Sequence, residues 1–81
     1  MLIRVKLFAA MRDLTGDEVA EVELPDGAQV GDLRRELAKQ LPLARTLLTR
    51  SAIAVNHEVV ENDCPLQATD EVAAIPPVSG G

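Results

Sequence analysis

Hydrophobic and polar residues alternate along two stretches near the start of the chain. In residues 2–9, one face carries Ile3, Val5 and Leu7, and the other face carries Arg4, Lys6 and Phe8. Residues 19–24 repeat the pattern, with Ala20, Val22 and Leu24 on one face. A period of two is typical of a β-strand with one buried face. The two stretches predict a hairpin, joined through a short turn or helix at residues 10–15 that ends at Gly16.

A single amphipathic helix is predicted after the second strand. Residues 25–27, Pro-Asp-Gly, are a turn signal, and apolar residues then recur at helical spacing at Val30, Leu33, Leu37 and Leu41. Asp32 would lie at the positive end of the helix dipole, and Pro42 would end the helix. Gln29 is a weak N-capping residue, so the helix should be poorly capped at its start. A further helical turn is predicted around Leu43, Leu47 and Leu48.

A second β-rich region follows this helix. Residues 52–55 and 58–60 predict two short strands around a turn at Asn56-His57, and residues 71–75 predict a fifth strand. The fold class is therefore α+β, with a mixed sheet of four to five strands and one main helix packed across it. This arrangement is the β-grasp, or ubiquitin-like, fold. We expect residues 1–75 to form the domain and residues 76–81 to form an extended, flexible tail.

Some apolar residues fall on the sheet face that points away from the predicted helix. Phe8 lies opposite Ile3, Val5 and Leu7, and the same pleat rule turns Ile75 and Val59 outward. The first and last strands are neighbours in a β-grasp sheet, so Phe8 and Ile75 should lie side by side. We interpret these residues as a patch that docks a partner. The alternative is that they cover a core edge where the strands fray.

Length and composition place the chain among ordinary globular domains. It has 81 residues, of which 47% are hydrophobic and 26% are charged. One domain is expected at this length. No apolar run approaches the ~20 residues of a membrane helix, and no leader precedes the first strand, so we expect no membrane association. The single cysteine, Cys64, cannot form an internal disulfide, which favours a cytoplasmic protein.

The charge is unevenly distributed. The net charge is −5, and all eight Lys and Arg residues lie within residues 1–50. Residues 51–81 contain five acidic residues and no basic one. Nucleic-acid binding needs clustered cations and stacking aromatic residues, and Phe8 is the single aromatic residue, so we expect no nucleic-acid partner. The acidic region favours protein partners with basic pockets.

The sequence holds no recognisable catalytic or metal-binding motif. One histidine, His57, and one cysteine, Cys64, fall short of a metal site by ligand count. His57 is interpreted as a solvated turn residue and Cys64 as a small apolar filler before Pro65. We therefore expect no bound metal, no bound cofactor and no enzyme activity in this chain on its own.

The chain ends in Pro76, Pro77, Val78, Ser79, Gly80 and Gly81. Two prolines stop the last strand and favour an extended exit. Glycine lacks a Cβ, so a Gly-Gly end could enter a narrow slot and present its terminal carboxylate. A carboxylate is a poor electrophile and would need activation, for example adenylation by another enzyme. The reactive group would then be the C-terminus itself.

Four segments carry a specific resemblance, at residues 5–13, 24–33, 54–56 and 70–81, the last reading DEVAAIPPVSGG. The chain resembles the sulfur-carrier small subunit of molybdopterin synthase over essentially its full length. Gly-Gly alone is shared by every ubiquitin-like protein, whereas the longer ending is much more specific. Two departures are Gln29, where a hydroxyl cap is common, and residues 74–75, where aromatic residues can occur.

The resemblance implies a cycle of reactions at Gly81. A ubiquitin-activating-like adenylyltransferase uses MgATP to adenylate Gly81, and sulfur from a donor protein then gives a thiocarboxylate. The tail, Pro76 to Gly80, inserts into the large synthase subunit, and sulfur passes to cyclic pyranopterin monophosphate. Two transfers build the dithiolene of molybdopterin. The resemblance further implies a heterotetramer of two small and two large subunits, with catalytic side chains on the large subunit. We expect the outward residues Phe8, Val59 and Ile75, together with Arg12, to dock on that subunit.

Other functions remain open at this point. The thiamine-pathway sulfur carrier has the same fold and the same chemistry at its tip. A ubiquitin-like protein modifier would instead use Gly81 to form isopeptide bonds to lysines. A plain binding module with an incidental tail is the third alternative.

Overall fold

The computed structural model describes residues 1–77, which form five strands and three α-helices. The strands are β1 (Leu2–Leu7), β2 (Val19–Glu23), β3 (Ala52–Val55), β4 (Glu58–Val60) and β5 (Val72–Ile75). The helices are α1 (Ala9–Thr15), α2 (Val30–Gln40) and α3 (Arg45–Arg50), and a 3₁₀ turn at Pro42–Ala44 joins the last two. Each predicted strand is present, and α1 ends at Gly16, whose φ of 76° is the left-handed conformation that glycine favours.

The five strands form one mixed sheet in the order β2-β1-β5-β3-β4. β1 and β5 run parallel at its centre, and the remaining neighbours are antiparallel. The predicted adjacency of the first and last strands is therefore confirmed. With α2 packed across the sheet, the arrangement confirms the predicted α+β class and the β-grasp fold.

The hydrophobic core lies between one face of the sheet and α2. The alternating residues Ile3, Val5, Leu7, Ala20 and Val22 are buried, as predicted from the period of two. From the helix, Val30, Leu33 and Leu37 are fully buried against them. The remaining inward positions of the sheet are supplied by Ile53, Val55, Val72 and Ala74. The apolar residues predicted from the helix spacing and those predicted from the strand period thus form one core.

The start of α2 is better capped than the sequence suggests. Gln29 and Asp32 form a capping box, in which the Gln29 backbone N–H donates to Asp32 Oδ2 at 2.8 Å. The next two amides are satisfied by a distant loop, since Val30 N–H donates to Cys64 O and Gly31 N–H to Asn62 O, both at 2.9 Å. The prediction of a poorly capped start is wrong, because tertiary carbonyls take the place of a hydroxyl cap.

The region after α2 forms two short elements rather than one turn. Pro42 ends α2 as predicted and begins the 3₁₀ turn, and α3 follows directly. Leu48 on α3 is fully buried, whereas Leu43 in the 3₁₀ turn is 79% exposed. Leu43 therefore lies on the surface and contributes little to the core.

The buried part of the chain extends slightly beyond β5. Pro76 is buried and Pro77 is exposed. A proline is buried without leaving an amide donor unpaired, because it has no N–H. Packing therefore continues one residue past the domain boundary expected at residue 75. Val78, Ser79, Gly80 and Gly81 lie outside the described residues.

Arg34 on α2 forms hydrogen bonds to the C-terminal end of α3 and to the loop that follows β4. Its Nη1 donates to Leu48 O and to Ser51 O, both at 2.7 Å, and its Nε donates to Asn62 Oδ1 at 3.2 Å. The two bonds from Nη1 satisfy carbonyls at the C-terminal end of α3, which is also the negative end of that helix. Arg34 therefore ties α2 to the segment that enters β3.

Replacing Arg34 by methionine should lower the free energy of unfolding by about 2 kcal/mol, since hydrogen bonds from a charged donor are worth about 1.5–3 kcal/mol. Urea unfolding followed by circular dichroism measures this change. Arg35→Met is the matched control, because among residues 1–77 Arg35 bonds only Asp32, at an exposed position, so the variant should lose about 0.5 kcal/mol or less. Equal losses in the two variants would contradict the assigned role of Arg34.

Candidate functional site

A shallow groove of about 290 Å³ lies on the face of the sheet opposite α2. Phe8, Val59 and Ile75 line this groove, and they are 44%, 69% and 39% exposed respectively. β1 and β5 pair in parallel with Leu7 opposite Ala74, so the next residues along, Phe8 and Ile75, meet at one end. The structure therefore brings three of the four predicted docking residues into one apolar depression. We call it the sheet groove.

The floor of the sheet groove is made of two alanines. Ala54 on β3 pairs with Ala73 on β5, and Val59 on β4 pairs with Ala54 from the other side. All three point away from the core, because their strand neighbours point into it. Small side chains in the middle of a row of larger ones leave a concave surface. An apolar side chain of a partner would fit this surface.

Charged and polar side chains border the apolar floor. Lys6 on β1 is exposed and continues the same row, since it pairs with Ala73. At the start of β5, Glu71 Oε2 lies 3.1 Å from Nε2 of His57. Both residues line the groove, so its border carries a cation on the β1 side and an anion near the β3–β4 turn. An apolar centre with a polar border is the usual composition of a docking surface.

The groove adjoins the point where the chain leaves the sheet. Ile75 is the last residue of β5 and lines the groove, and Pro76 and Pro77 follow it directly. The predicted reacting residue, Gly81, and the predicted insertion residues Val78, Ser79 and Gly80 lie outside the described residues. The sheet groove therefore lies next to Pro76, where the chain leaves the sheet.

Arg12 is not brought into the sheet groove. It lies exposed on α1, and its backbone N–H donates to Phe8 O at 3.4 Å, so it sits one helical turn beyond the groove's end. α1 departs from the line of β1 because Ala9 adopts a φ of 48° and turns the chain there. The turn leaves Phe8 extended, with φ −119° and ψ 156°, just after the end of β1.

Six residues that line the groove were not predicted as site residues, namely Lys6, Ala54, His57, Glu71, Val72 and Ala73. The floor residues Ala54 and Ala73 carry no chemical signal, and Lys6 and Glu71 look like ordinary surface charges. The available signal for Lys6, Ala54 and Ala73 was their outward position in their strands, combined with the strand order. His57 was predicted as a turn residue, and it does occupy the β3–β4 turn with a φ of 71°.

The part of the chain that the structure describes contains no cluster of three His, Cys, Asp or Glu residues placed to hold a metal ion. Within residues 1–77, no helix is both long and apolar enough to cross a membrane.

A family-wide sequence comparison covers nearly the whole chain. The model of the ThiS family matches residues 5–81, including the segments that form the groove and the final Gly-Gly. The chain belongs to the ThiS family.

Individual relatives of this ThiS family chain share a function name. The molybdopterin synthase sulfur carrier subunit of Escherichia coli is 39% identical over 82 residues, covering 99% of this chain and 100% of that protein. The protein of the same name from Chlamydomonas reinhardtii is 36% identical and covers 100% of both chains. The resemblance inferred from the four sequence segments is confirmed.

Several solved structures share this fold. A putative molybdopterin converting factor subunit 1 from Pyrococcus furiosus has a TM-score of 0.84 at 35% identity, covering 96% of this chain and 99% of that one. The small archaeal modifier protein SAMP1 of Haloferax volcanii has a TM-score of 0.88 at 27% identity and covers 100% of both chains. A chain in a complex of subunits 1 and 2 of molybdopterin-converting factor from Helicobacter pylori, 24% identical with a TM-score of 0.70 and 100% coverage of both chains, shares the fold.

Proposed function

We propose that this ThiS family chain is the sulfur-carrier subunit of a molybdopterin synthase. The observation that carries this proposal is the full-length similarity to relatives of that name, from residue 5 through the terminal Gly81. The sheet groove supports it, since a carrier needs a docking surface next to its reactive end. The reacting group is the C-terminal carboxylate of Gly81.

The carrier receives its sulfur atom before it can donate sulfur. An adenylyltransferase of the ubiquitin-activating type joins the carboxylate oxygen of Gly81 to the α-phosphate of MgATP, and pyrophosphate leaves. Sulfide-level sulfur supplied by a donor protein then attacks the Gly81 carbonyl carbon, so that a C–S bond forms, AMP leaves and Gly81 carries a thiocarboxylate. MgATP is held by the activating enzyme, so this chain needs no bound cofactor of its own. The lack of a catalytic motif in the sequence fits a substrate-like role.

The loaded carrier then docks on the large subunit of the synthase. The sheet groove, with Phe8, Val59 and Ile75, seats an apolar partner surface, while Arg12 contacts the partner beyond the groove's end. Pro76 to Gly80 enter the partner's active site, where sulfur passes to cyclic pyranopterin monophosphate. Catalytic side chains belong to the large subunit, and two carriers and two large subunits form the assembly. We place the cycle in the cytoplasm, in line with the lone Cys64.

The mass of the C-terminal peptide that contains Gly81, measured in protein isolated from its native cells, tests the proposal. Replacement of one carboxylate oxygen by sulfur is the expected result, and it should disappear when the activating enzyme is deleted. A thiocarboxylate that persisted with no molybdopterin formed on adding the large subunit would favour the thiamine-pathway carrier. An unaltered carboxylate in cells that make molybdopterin would overturn the proposal.

A protein modifier is the second candidate function. The similarity to the small archaeal modifier protein SAMP1 favours it, since that chain aligns over its full length. A modifier uses the same adenylated Gly81 but gives it to a lysine amine, which forms an isopeptide bond and releases AMP. Immunoblots of native cells would then show conjugates of high mass, which a Gly81 deletion abolishes. A dedicated carrier gives no such conjugates.

The docking role of the sheet groove predicts a specific pattern of binding defects. Phe8→Ala and Ile75→Ala should each raise the Kd for the large subunit about 30-fold, the equivalent of the 2 kcal/mol typical of a buried interface anchor. Leu14→Ala and Leu43→Ala are matched controls, because both are exposed apolar residues outside the groove. Their Kd values should stay within about twofold of wild type. Titration calorimetry measures all four, and normal binding by both groove variants would exclude this surface.

A further inference from the structure

β4 and the turn before it, which carry one side of the sheet groove, are held by few contacts. β4 has three residues, lies at the edge of the sheet and pairs only with β3. Short edge strands gain little stability from their own ladder. Val59 and His57 on the β3–β4 hairpin must nevertheless be held in place against β5 for the groove to keep its shape.

Asn56 at the start of the β3–β4 turn makes three hydrogen bonds across to the start of β5. Its backbone N–H donates to Glu71 O at 2.7 Å, which extends the β3–β5 ladder by one residue. Its side-chain Oδ1 accepts the N–H of Glu71 at 2.9 Å. Its Nδ2 donates to Asp70 Oδ1 at 3.0 Å. One asparagine thus continues the strand pairing with side-chain groups where the strands themselves end.

The other carboxylate oxygen of Asp70 completes the network. Asp70 Oδ2 accepts the backbone N–H of Gln67 at 2.7 Å, and this closes the turn that leads into β5. Asn56 also has a φ of 51°, a left-handed conformation that asparagine adopts more readily than most residues. Backbone conformation and side-chain bonding both favour asparagine at this position.

We propose that Asn56 is a positioning residue for partner docking, which fixes the β3–β4 hairpin against the start of β5 and so preforms the sheet groove. It acts through Val59 and His57 on one side and Glu71 on the other, all of which line the groove, while Asn56 itself does not. A preformed groove binds more tightly because less conformational freedom is lost on docking. This inference rests on the proposed function, since it assigns Asn56 a part in docking the large subunit.

Asn56→Gly removes the side-chain bonds and keeps a residue that tolerates positive φ. The matched control is Asn62→Gly, which makes the same chemical change in a loop away from the groove and loses one bond to Arg34. Exchange of the Glu71 amide, measured by NMR without any partner, should quicken about tenfold in Asn56→Gly only. Its Kd for the large subunit should rise about fivefold to tenfold, while the control binds within about twofold of wild type.

A charge-preserving exchange provides the rescue. Asn56→Asp alone loses the amide donor and sets a second carboxylate beside that of Asp70, so it should bind weakly. Adding Asp70→Asn restores every bond with the roles reversed, because the new amide donates to the new carboxylate and still accepts from Gln67 N–H. The double variant should therefore recover most of the wild-type affinity.

Several outcomes would overturn the inference. Unchanged exchange of the Glu71 amide in Asn56→Gly would show that the network does not hold the hairpin. Faster exchange with a Kd within twofold of wild type would show that docking does not depend on it. A double variant as weak as Asn56→Asp would refute the bonding scheme. In contrast, a wild-type chain that fails to bind the large subunit would contradict the proposed function instead, and the exchange measurement would still test the network.

Discussion

Deletion of Gly81 should abolish molybdopterin formation while leaving the melting temperature close to that of the full chain. The chemistry requires the terminal carboxylate at the position that Gly81 supplies, and a chain ending at Gly80 is shorter by about 3.5 Å of extended backbone. The core is formed by residues before the deletion, and the last buried residue that the structure describes is Pro76. The measurement is molybdopterin formed by the large subunit from cyclic pyranopterin monophosphate.

A control experiment distinguishes the formation of the thiocarboxylate from the transfer of its sulfur to the substrate. A full-length carrier given its thiocarboxylate chemically should support synthesis with the large subunit alone, without MgATP or the activating enzyme. The same carrier ending at Gly80, also given a thiocarboxylate, should remain inactive because its sulfur falls short of the substrate. Activity of that shortened and loaded carrier would contradict the requirement for Gly81 in the transfer step.

Replacing Leu33 by alanine should destabilise the fold more than any surface change. Leu33 is fully buried where α2 meets the sheet, and leucine-to-alanine changes in cores cost about 2–5 kcal/mol. An 81-residue domain has a total stability of about 4–12 kcal/mol at typical values per residue, so the loss is a large part of the whole.

The same substitution at Leu43 is the control. Leu43 is 79% exposed, so Leu43→Ala should change the free energy of unfolding by about 0.5 kcal/mol or less. Urea titration of both variants gives the comparison, with equal m-values expected for the control and wild type. A Leu33→Ala variant that lost less than the Leu43→Ala variant would contradict the assigned core.

Much of the fold was predictable because its signals are local. Alternation in residues 2–7 and 19–23 specified strands and their inward faces, and the spacing of Leu33 and Leu37 specified α2. The capping of α2 was not predictable, since the carbonyls of Asn62 and Cys64 come from a loop about 30 residues away in sequence. Such contacts leave no periodic pattern in the sequence.

The candidate site was predictable only in part. Phe8, Val59 and Ile75 were recognised as outward-facing apolar residues, and their meeting in one groove agrees with that reading. Arg12 was assigned to the docking surface by resemblance, and the turn at Ala9 places it beyond the groove. The network around Asn56 was missed because its partners, Asp70 and Glu71, lie in the segment before β5, distant in sequence, and look like surface acids.

The sequence by itself determined the strands, the main helix, the face of each strand and, through its ending, the kinship with sulfur carriers. These properties follow from residue spacing and from the chemistry of single residues, which the chain carries wherever it folds. Tertiary structure alone decided that Ala54 and Ala73 form a concave floor and that Asn56 holds its border. Both depend on β5 inserting between β1 and β3, since this pairing brings residues 8, 54, 59 and 75 together from distant parts of the chain.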